Sequence, residues 1–149
     1  MNPITTPVFY VYTASAIALG FNLLLLANYT ALTRAKSKEV VNPEDQKLNA
    51  GATVVYEGGN ETTARYRRAH RNALENIPLF LITGFLLTFA GISPTAAMVL
   101  FGIFVAARYV HSFAYVQRLQ PWRTLSFVIG ALDQVAILGV LGYKVFLST

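Results

Sequence analysis

Four long apolar stretches alternate with shorter polar segments along the 149-residue chain. Polar residues do not interrupt these stretches at the spacing that would give each helix a face in contact with water. A helix rises 1.5 Å per residue, so about 20 apolar residues cross the hydrocarbon core of a bilayer. The pattern predicts an all-α integral membrane protein, a single four-helix bundle with helices at about residues 8–34, 62–91, 94–117 and 122–147.

The polar segments that join the helices differ in length. The turn at residues 91–93 is short and leads from Ser93 into Pro94, a pair typical of a helix start, which predicts an antiparallel hairpin of the second and third helices. Residues 35–61 form a long polar stretch, and loops beyond about 12 to 15 residues are often functional. We expect an ordered loop packed near the functional site; a disordered linker is the alternative.

The basic residues predict how the bundle is oriented. Eight of the twelve Lys and Arg residues lie between Arg34 and Arg71, and two more lie between the third and fourth helices. Basic residues concentrate in cytoplasmic loops of membrane proteins. Both connections are therefore expected to face the cytoplasm, in a bacterial inner membrane or, in a eukaryote, the endoplasmic reticulum, and the termini lie on the opposite side.

The composition excludes several kinds of chemistry. The chain has no cysteine, so it has no disulfide, no thiolate metal site and no cysteine nucleophile, and a ligand must supply any reactive sulfur. Two histidines without a third ligand do not indicate a metal site. The net charge of +5 belongs to the membrane flanks and is not interleaved with base-stacking aromatic residues, so we do not expect nucleic-acid binding.

A polar stripe is predicted at the start of the second helix, since its purely apolar part begins only near Asn76. Arg68, Arg71, Asn72 and Glu75 stand at positions i, i+3, i+4 and i+7, which share one helix face. The arginines alone are typical of a membrane anchor, with Glu75 paired to one of them. A carboxylate and an amide at the entrance to the lipid more often turn inward and find polar partners. We therefore expect a polar interior site.

A second polar stripe lies on the third helix. Arg108, His111, Ser112 and Tyr115 repeat the same spacing after a wholly apolar run. The two stripes have the same depth in the membrane, so they are expected to face each other. Arg108 is the deepest of these residues, and the sequence leaves open whether it forms a buried pair with Glu75 or contacts a ligand.

The start of the fourth helix predicts an anion site. Arg123 and the Thr124 hydroxyl lie in its first turn, where unpaired N–H groups and the helix dipole already favour negative charge. The spot suits a thiolate or a carboxylate, and a membrane anchor is the alternative. At the end of the first helix, Arg34 is a candidate wall residue. Asp133, midway along the fourth helix, either pairs with Arg108, binds substrate or serves packing, and the sequence does not separate these roles.

Taken together, these residues resemble the MAPEG family, the membrane-associated proteins of eicosanoid and glutathione metabolism. The likeness is to its microsomal glutathione transferase and microsomal prostaglandin E synthase branch, and it covers nearly the whole chain. Four elements in the same order carry it: Arg68-Ala69-His70-Arg71-Asn72 followed by Glu75, Arg108 with His111 and Tyr115, the Asn42-Pro43-Glu44-Asp45 loop, and Pro121-Trp122-Arg123.

The resemblance implies a homotrimer that holds glutathione between adjacent subunits near the cytoplasmic face. Arg123 would face the sulfur, Asp45 would assist it, and Thr124 stands where the prostaglandin synthase has a serine. The residues that the resemblance implies in binding the tripeptide are Arg34, Arg71, Asn72, Glu75, His111 and Tyr115, and we expect Arg68 and Arg108 to bind it as well.

The expected activity is that of a membrane-bound glutathione transferase, with glutathione peroxidase activity as an extension. Its partners would be glutathione, the lipid bilayer, and a hydrophobic electrophile or lipid hydroperoxide that arrives from the membrane. The alternatives are a glutathione-dependent prostaglandin E synthase-like isomerase, a non-catalytic lipid-binding scaffold of the same family, and a small transporter or channel subunit.

Overall fold

The computed structural model describes residues 6–57 and 59–147. Four long helices account for most of them: α1 (Pro7–Lys36), α2 (Glu61–Leu87), α3 (Pro94–Val116) and α4 (Trp122–Phe146). The helices pack side by side, α1 against α2 and α3, and α4 against α3 and α2. The predicted all-α four-helix bundle is confirmed.

Side chains mark the starts of three helices. Thr6 Oγ1 accepts a hydrogen bond from the Phe9 N–H, and Ser93 Oγ accepts one from the Ala96 N–H, both at 3.2 Å. Asn60 Oδ1 accepts from Thr62 N–H at 2.9 Å at the start of α2. These oxygens bind helix N–H groups that have no partner within the helix, which is why Ser, Thr and Asn are favoured at this position.

Helix α2 ends at Leu87, four residues before the predicted end at Gly91. The Thr88 side chain bonds back to the Phe85 carbonyl at 2.7 Å, and the chain then turns through Gly91, whose φ is +70°. A glycine adopts this left-handed conformation at no steric cost, so it suits the sharp return into α3. The apolar run on which the prediction depended continues through the turn, which is why the sequence placed the end too late.

Three helices, α1, α3 and α4, are long and apolar enough to cross a membrane among the residues that the structure describes. Helix α2 does not meet this criterion because charged residues occupy its first half, between Glu61 and Glu75. Its second half supplies Ile77 and Phe80, both fully buried, to the core of the bundle. Helix α2 is thus a polar segment continued by an apolar one, packed against the three helices that are apolar enough to span.

Aromatic stacking and a few polar contacts fix the helices relative to each other. The Phe80 ring stacks on Phe104 with centroids 4.4 Å apart and meets the edge of Phe101 at 5.4 Å. Tyr109 Oη donates to the Ala18 carbonyl at 2.7 Å. Further polar contacts join Ser112 Oγ to Asn22 Oδ1 at 3.0 Å and Gln134 Nε2 to Thr83 Oγ1 at 2.9 Å. Lipid supplies no hydrogen-bonding groups, so such contacts between helices help to specify their packing.

The loop between α1 and α2 has short elements of secondary structure in its described residues, 37–57 and 59–60. It contains two short parallel strands, β1 (Glu39–Val40) and β2 (Thr53–Val54), and a short 3-10 helix at Pro43–Lys47. Glu39 Oε1 accepts a hydrogen bond from the Asn60 N–H at 2.6 Å, which joins the two ends of the loop. The sequence did not predict the strands, because pairs of two residues carry no readable alternation of polar and apolar positions.

Candidate functional site

His111, Tyr115 and Arg123 lie together where α3 meets the first turn of α4. The Arg123 guanidinium carbon is 5.0 Å from the centre of the Tyr115 ring, within the range of a cation–π contact. The His111 and Tyr115 rings meet edge to face at 5.7 Å, and His111 Nδ1 is 2.9 Å from the Arg123 backbone oxygen. Three of the predicted site residues are therefore brought together within one chain, and His111, Tyr115 and Arg123 are called the α3–α4 cluster below.

The hydrogen bond of His111 defines what its ring can offer to a ligand. A carbonyl oxygen only accepts, so Nδ1 must carry the hydrogen, and in the neutral ring Nε2 is then an acceptor. Nε2 is buried and has no hydrogen-bond partner among the described residues. His111 can therefore accept a hydrogen bond from an N–H or S–H group that reaches this end of the bundle.

Gln120 is a neighbour of Arg123 that sequence reasoning missed. With its amide oxygen turned towards the guanidinium, Oε1 accepts from Arg123 Nη2 at 2.6 Å and from Nε at 3.2 Å. Its amide nitrogen then donates to Thr124 Oγ1 at 3.1 Å. This orientation is assigned from the hydrogen-bond network. The position of Gln120 three residues before Arg123, on a short connection, was the signal that could have identified it.

Arg108 lies deeper in the bundle and is almost fully buried between α3 and α4. Its Nη2 atom donates to the Ser126 and Phe127 carbonyls, each at 3.4 Å. The pair with Glu75 that the sequence left open is not formed in the chain, because Glu75 pairs with Arg71 instead. Arg108 therefore lies on the inward side of α3, next to the backbone of α4.

The polar stripe of α2 lies on the outside of the chain. Arg71 Nε and Glu75 Oε1 are 3.4 Å apart, and their side chains are 81% and 59% exposed. Arg68 Nη2 binds Glu61 Oε1 at 3.0 Å, and Asn72 is half-buried with its Oδ1 atom enclosed and without a partner in the described part of the chain. An exposed ion pair at the entrance to the lipid is costly unless another surface covers it.

The expectation that the two stripes face each other is wrong within one chain. Arg108, His111 and Ser112 point into the contact between α3 and its neighbours, whereas Arg68, Arg71 and Glu75 point away from the core. The spacing of the residues predicts that both stripes lie at the same depth in the membrane. It does not predict how each helix is rotated about its own axis. The rotation depends on which faces pack, and the small residues of α2 form its packed face.

Arg34 and Asp45 line a cavity of about 530 Å³ between the end of α1 and the loop. Asn42 Nδ2 donates to Asp45 Oδ2 at 3.3 Å, and Asp45 has no contact with Arg123 in the described residues. Asn49 also lines the cavity and was missed by sequence reasoning, since nothing in its spacing marked it. Arg34 and Asp45, which were predicted separately, thus form a third cluster, apart in the chain from the α3–α4 cluster.

The three clusters together present cations, amides and carboxylates at one end of a membrane bundle. Such a set can bind an elongated zwitterionic or anionic molecule, with Arg123 available for a centre that develops negative charge. Among the described residues no group of three His, Cys, Asp or Glu side chains could hold a metal ion.

Comparisons with known proteins identify a family and several relatives by sequence. A sequence model of the MAPEG family matches residues 12–143. Human microsomal glutathione S-transferase 1 is 37% identical over 126 residues, which cover 83% of this chain and 81% of that protein. Bovine prostaglandin E synthase is 33% identical over 133 residues, 89% of this chain and 84% of that protein, and the human prostaglandin E synthase is 30% identical over 129 residues, 86% and 84% respectively.

Proposed function

Since the chain belongs to the MAPEG family, we propose that it is a membrane-bound glutathione transferase acting on hydrophobic electrophiles, with lipid hydroperoxides as a second substrate class. The observation that carries this proposal is the α3–α4 cluster, in which Tyr115, His111 and Gln120 hold Arg123 at the first turn of α4. The relatives named glutathione S-transferase support it. The site would lie near the cytoplasmic face.

The functional unit would be a homotrimer with one site at each contact between subunits. The exposed Arg71–Glu75 pair supports this, because a neighbouring subunit would cover it and remove it from lipid. The same contact would place the α2 stripe of one subunit opposite the α3–α4 cluster of the next. The Arg34–Asp45 cavity, which in one chain is separate from Arg123, would join the site in the same way.

The residues present fit glutathione, which carries two carboxylates, one ammonium group, amides and a thiol. Arg108 has two buried nitrogens without partners, and these donors suit a carboxylate. Glu75 suits the ammonium group, while His111 Nε2 and Asn72 Oδ1 are buried acceptors without partners in the described residues, and they suit N–H groups. Arg34, Arg68, Arg71 and Tyr115 would complete the binding set.

Glutathione supplies the sulfur nucleophile that the chain lacks. The thiolate is the reactive form, and a thiol of pKa about 8.5 is only a few per cent ionised at neutral pH. Arg123 would lower this pKa by about two units, which equals about 2.7 kcal/mol of differential stabilisation. Gln120 and Tyr115 keep the guanidinium in place before the sulfur arrives, so little reorganisation remains. Thr124, and Asp45 from the loop of a neighbouring subunit, would act through Arg123.

The proposal is tested by titrating the detergent-solubilised protein with glutathione in a calorimeter, followed by a conjugation assay with a chromogenic aryl halide. We expect saturable binding and an enzymatic rate above that of free glutathione. Binding without turnover on any electrophile would favour a scaffold, and ion flux in liposomes without glutathione binding would favour a transporter.

A prostaglandin E synthase-like isomerase is the second candidate, because relatives with that name cover most of the chain at 30 to 34% identity. Isomerisation of an endoperoxide would use the same Arg123 and glutathione, so binding data do not distinguish the two activities. Product analysis with the endoperoxide distinguishes them, since the isomerase forms an isomer and releases glutathione unchanged.

Replacing Glu75 with glutamine is expected to weaken glutathione binding about tenfold while the rate at saturation stays close to that of the unmodified protein. A charge-assisted hydrogen bond to the ammonium group contributes about 1.5 kcal/mol, and the amide keeps the size but loses the charge. Calorimetry gives the affinity. The matched control is Glu44→Gln, an exposed glutamate of the loop that contributes to no cluster. Equal affinity for both variants would remove Glu75 from the site.

A further inference from the structure

Arg108 carries a buried charge that its own surroundings do not neutralise. Its side chain is 2% exposed, and the rings of Phe104 and Phe127 lie 5.5 and 5.7 Å from its guanidinium carbon. Nη2 binds two backbone carbonyls, but Nε and Nη1 are buried without partners in the described residues. No carboxylate lies within 4.0 Å of Arg108 in the part of the chain that the structure describes. A buried cation without an anion is strongly destabilising.

Asp133 is the acidic counterpart within the same layer of helices. Its side chain is 7% exposed, and Oδ2 is buried without a partner among the described residues. No other acidic residue lies on α4. Glu61 and Glu75, on α2, already pair with arginines of their own helix. Asp133 is therefore the carboxylate that remains available to Arg108.

The guanidinium of Arg108 lies against α4 at a position one helical turn from Asp133. Gly130 lies one turn before Asp133 on the buried face of α4, and a Cβ at Gly130 would clash with Arg108 Nη2 and lie 3.0 Å from Cζ. The guanidinium thus lies directly on the α4 backbone. Helical side chains lean towards the N-terminus of their own helix. Since α3 and α4 run antiparallel, this rule directs both side chains into the same layer of the bundle.

We propose that Asp133 is the counterion of Arg108, joined to it by a bridging water, and that it positions the guanidinium for glutathione. A buried water needs two to four polar partners, and Asp133 Oδ2 with one of the two unpaired Arg108 nitrogens supplies two, which leaves the other nitrogen for the tripeptide. Asp133 is thus a positioning residue that does not itself touch the tripeptide. This inference rests on the proposed function for its glutathione measurement and is independent of it for its stability measurement.

The test is a double-mutant cycle with Asp133→Asn and Arg108→Met in the full-length protein in detergent. Asp133→Asn alone is expected to lower glutathione affinity about tenfold and to lower the unfolding temperature, because it leaves Arg108 without a counterion. In the Arg108→Met background the same change is expected to leave the affinity unchanged and to raise the unfolding temperature, because it removes an unpaired carboxylate. The reversal of sign is a result that general damage to the bundle does not produce.

Gln134→Met is the matched control. Gln134 follows Asp133 on α4, is equally buried and uncharged, and donates to Thr83 on α2, while its Oε1 has no partner among the described residues. The variant is expected to lower the unfolding temperature while glutathione affinity stays unchanged. A tenfold loss of affinity in this variant would mean that any buried change at this depth disturbs the site, and the role assigned to Asp133 would be wrong.

Two results overturn the inference directly. The first is an Asp133→Asn protein that binds glutathione as tightly as the unmodified chain. The second is an affinity loss of the same size with and without Arg108. If the unmodified protein does not bind glutathione at all, the proposed function fails, and the unfolding temperatures alone then decide: additive shifts reject the Arg108–Asp133 pair, whereas the reversal of sign supports it.

Discussion

Replacing Arg123 with leucine is expected to lower the rate of conjugation at pH 6 about a hundredfold while glutathione still binds. Loss of the guanidinium returns the thiol pKa from about 6.5 to about 8.5, and at pH 6 the thiolate fraction falls in nearly the same proportion. The rate profile of the variant should therefore move about two pH units upward and approach that of the unmodified protein above pH 9. The ultraviolet absorbance of bound thiolate, followed against pH, reports the same shift without turnover.

Arg118→Leu provides the matched control for this experiment. Arg118 is an exposed arginine in the same connection, so its loss removes an equal charge close to Arg123 without removing a neighbour of Tyr115 or Gln120. Its pH profile is expected to stay within a few tenths of a unit of the unmodified protein. An Arg123→Leu profile that superimposes on that of Arg118→Leu would show that Arg123 does not stabilise the thiolate.

Replacing Gly130 with alanine is expected to lower the free energy of unfolding by about 1–3 kcal/mol and glutathione affinity at least tenfold. The added methyl group would overlap the Arg108 guanidinium, which is enclosed by Phe104, Phe127 and the α4 backbone and has little room to move. Overfilling a packed interior typically costs this much. Thermal unfolding in detergent and calorimetry with glutathione measure the two effects.

Gly139→Ala, on the same helix, separates this steric effect from the general effect of a helix glycine. A Cβ at Gly139 meets no atom within 4 Å, and alanine is the better helix former, so no loss of stability is expected there. If Gly130→Ala unfolds at the same temperature as Gly139→Ala, Arg108 is free to leave its place against α4. The packing of the guanidinium against α4 would then not be needed for glutathione binding.

The sequence predicted the bundle well because the bilayer imposes a simple pattern. Runs of about 20 apolar residues locate helices without any knowledge of their packing, and Ser93-Pro94 and Pro121 mark where the third and fourth helices begin. The end of α2 at Leu87 could not be located from the sequence, since the apolar run continues through Phe89 and Ala90 into the turn. Strands β1 and β2 were not predictable, because each has only two residues and their pairing depends on how the rest of the loop folds.

The structure brings some of the candidate site residues together and leaves others apart, and the sequence accounts for the first result more easily than for the second. The cluster of His111, Tyr115 and Arg123 lies on two helices joined by a short turn, so proximity in sequence ensured proximity in space. The direction of the α2 stripe was not predictable, because it depends on which face of the helix packs against α1 and α3. Arg71 and Glu75 are four residues apart whether their helix face packs inside one chain or against a second chain, so their spacing does not distinguish the two cases.

The closed base of the loop between α1 and α2 has a consequence for the evolution of this protein. The pairing of β1 with β2 and the bond from the Asn60 N–H to Glu39 hold the two ends of the loop together at its base. The tip near Gly51 takes no part in these contacts. The entropic cost of a longer closed loop grows only with the logarithm of its length. We therefore expect insertions and deletions at this tip to leave the helices assembled but to change the Arg34–Asp45 cavity, which Asn49 and Ala52 line, and a peptide epitope placed there should do the same.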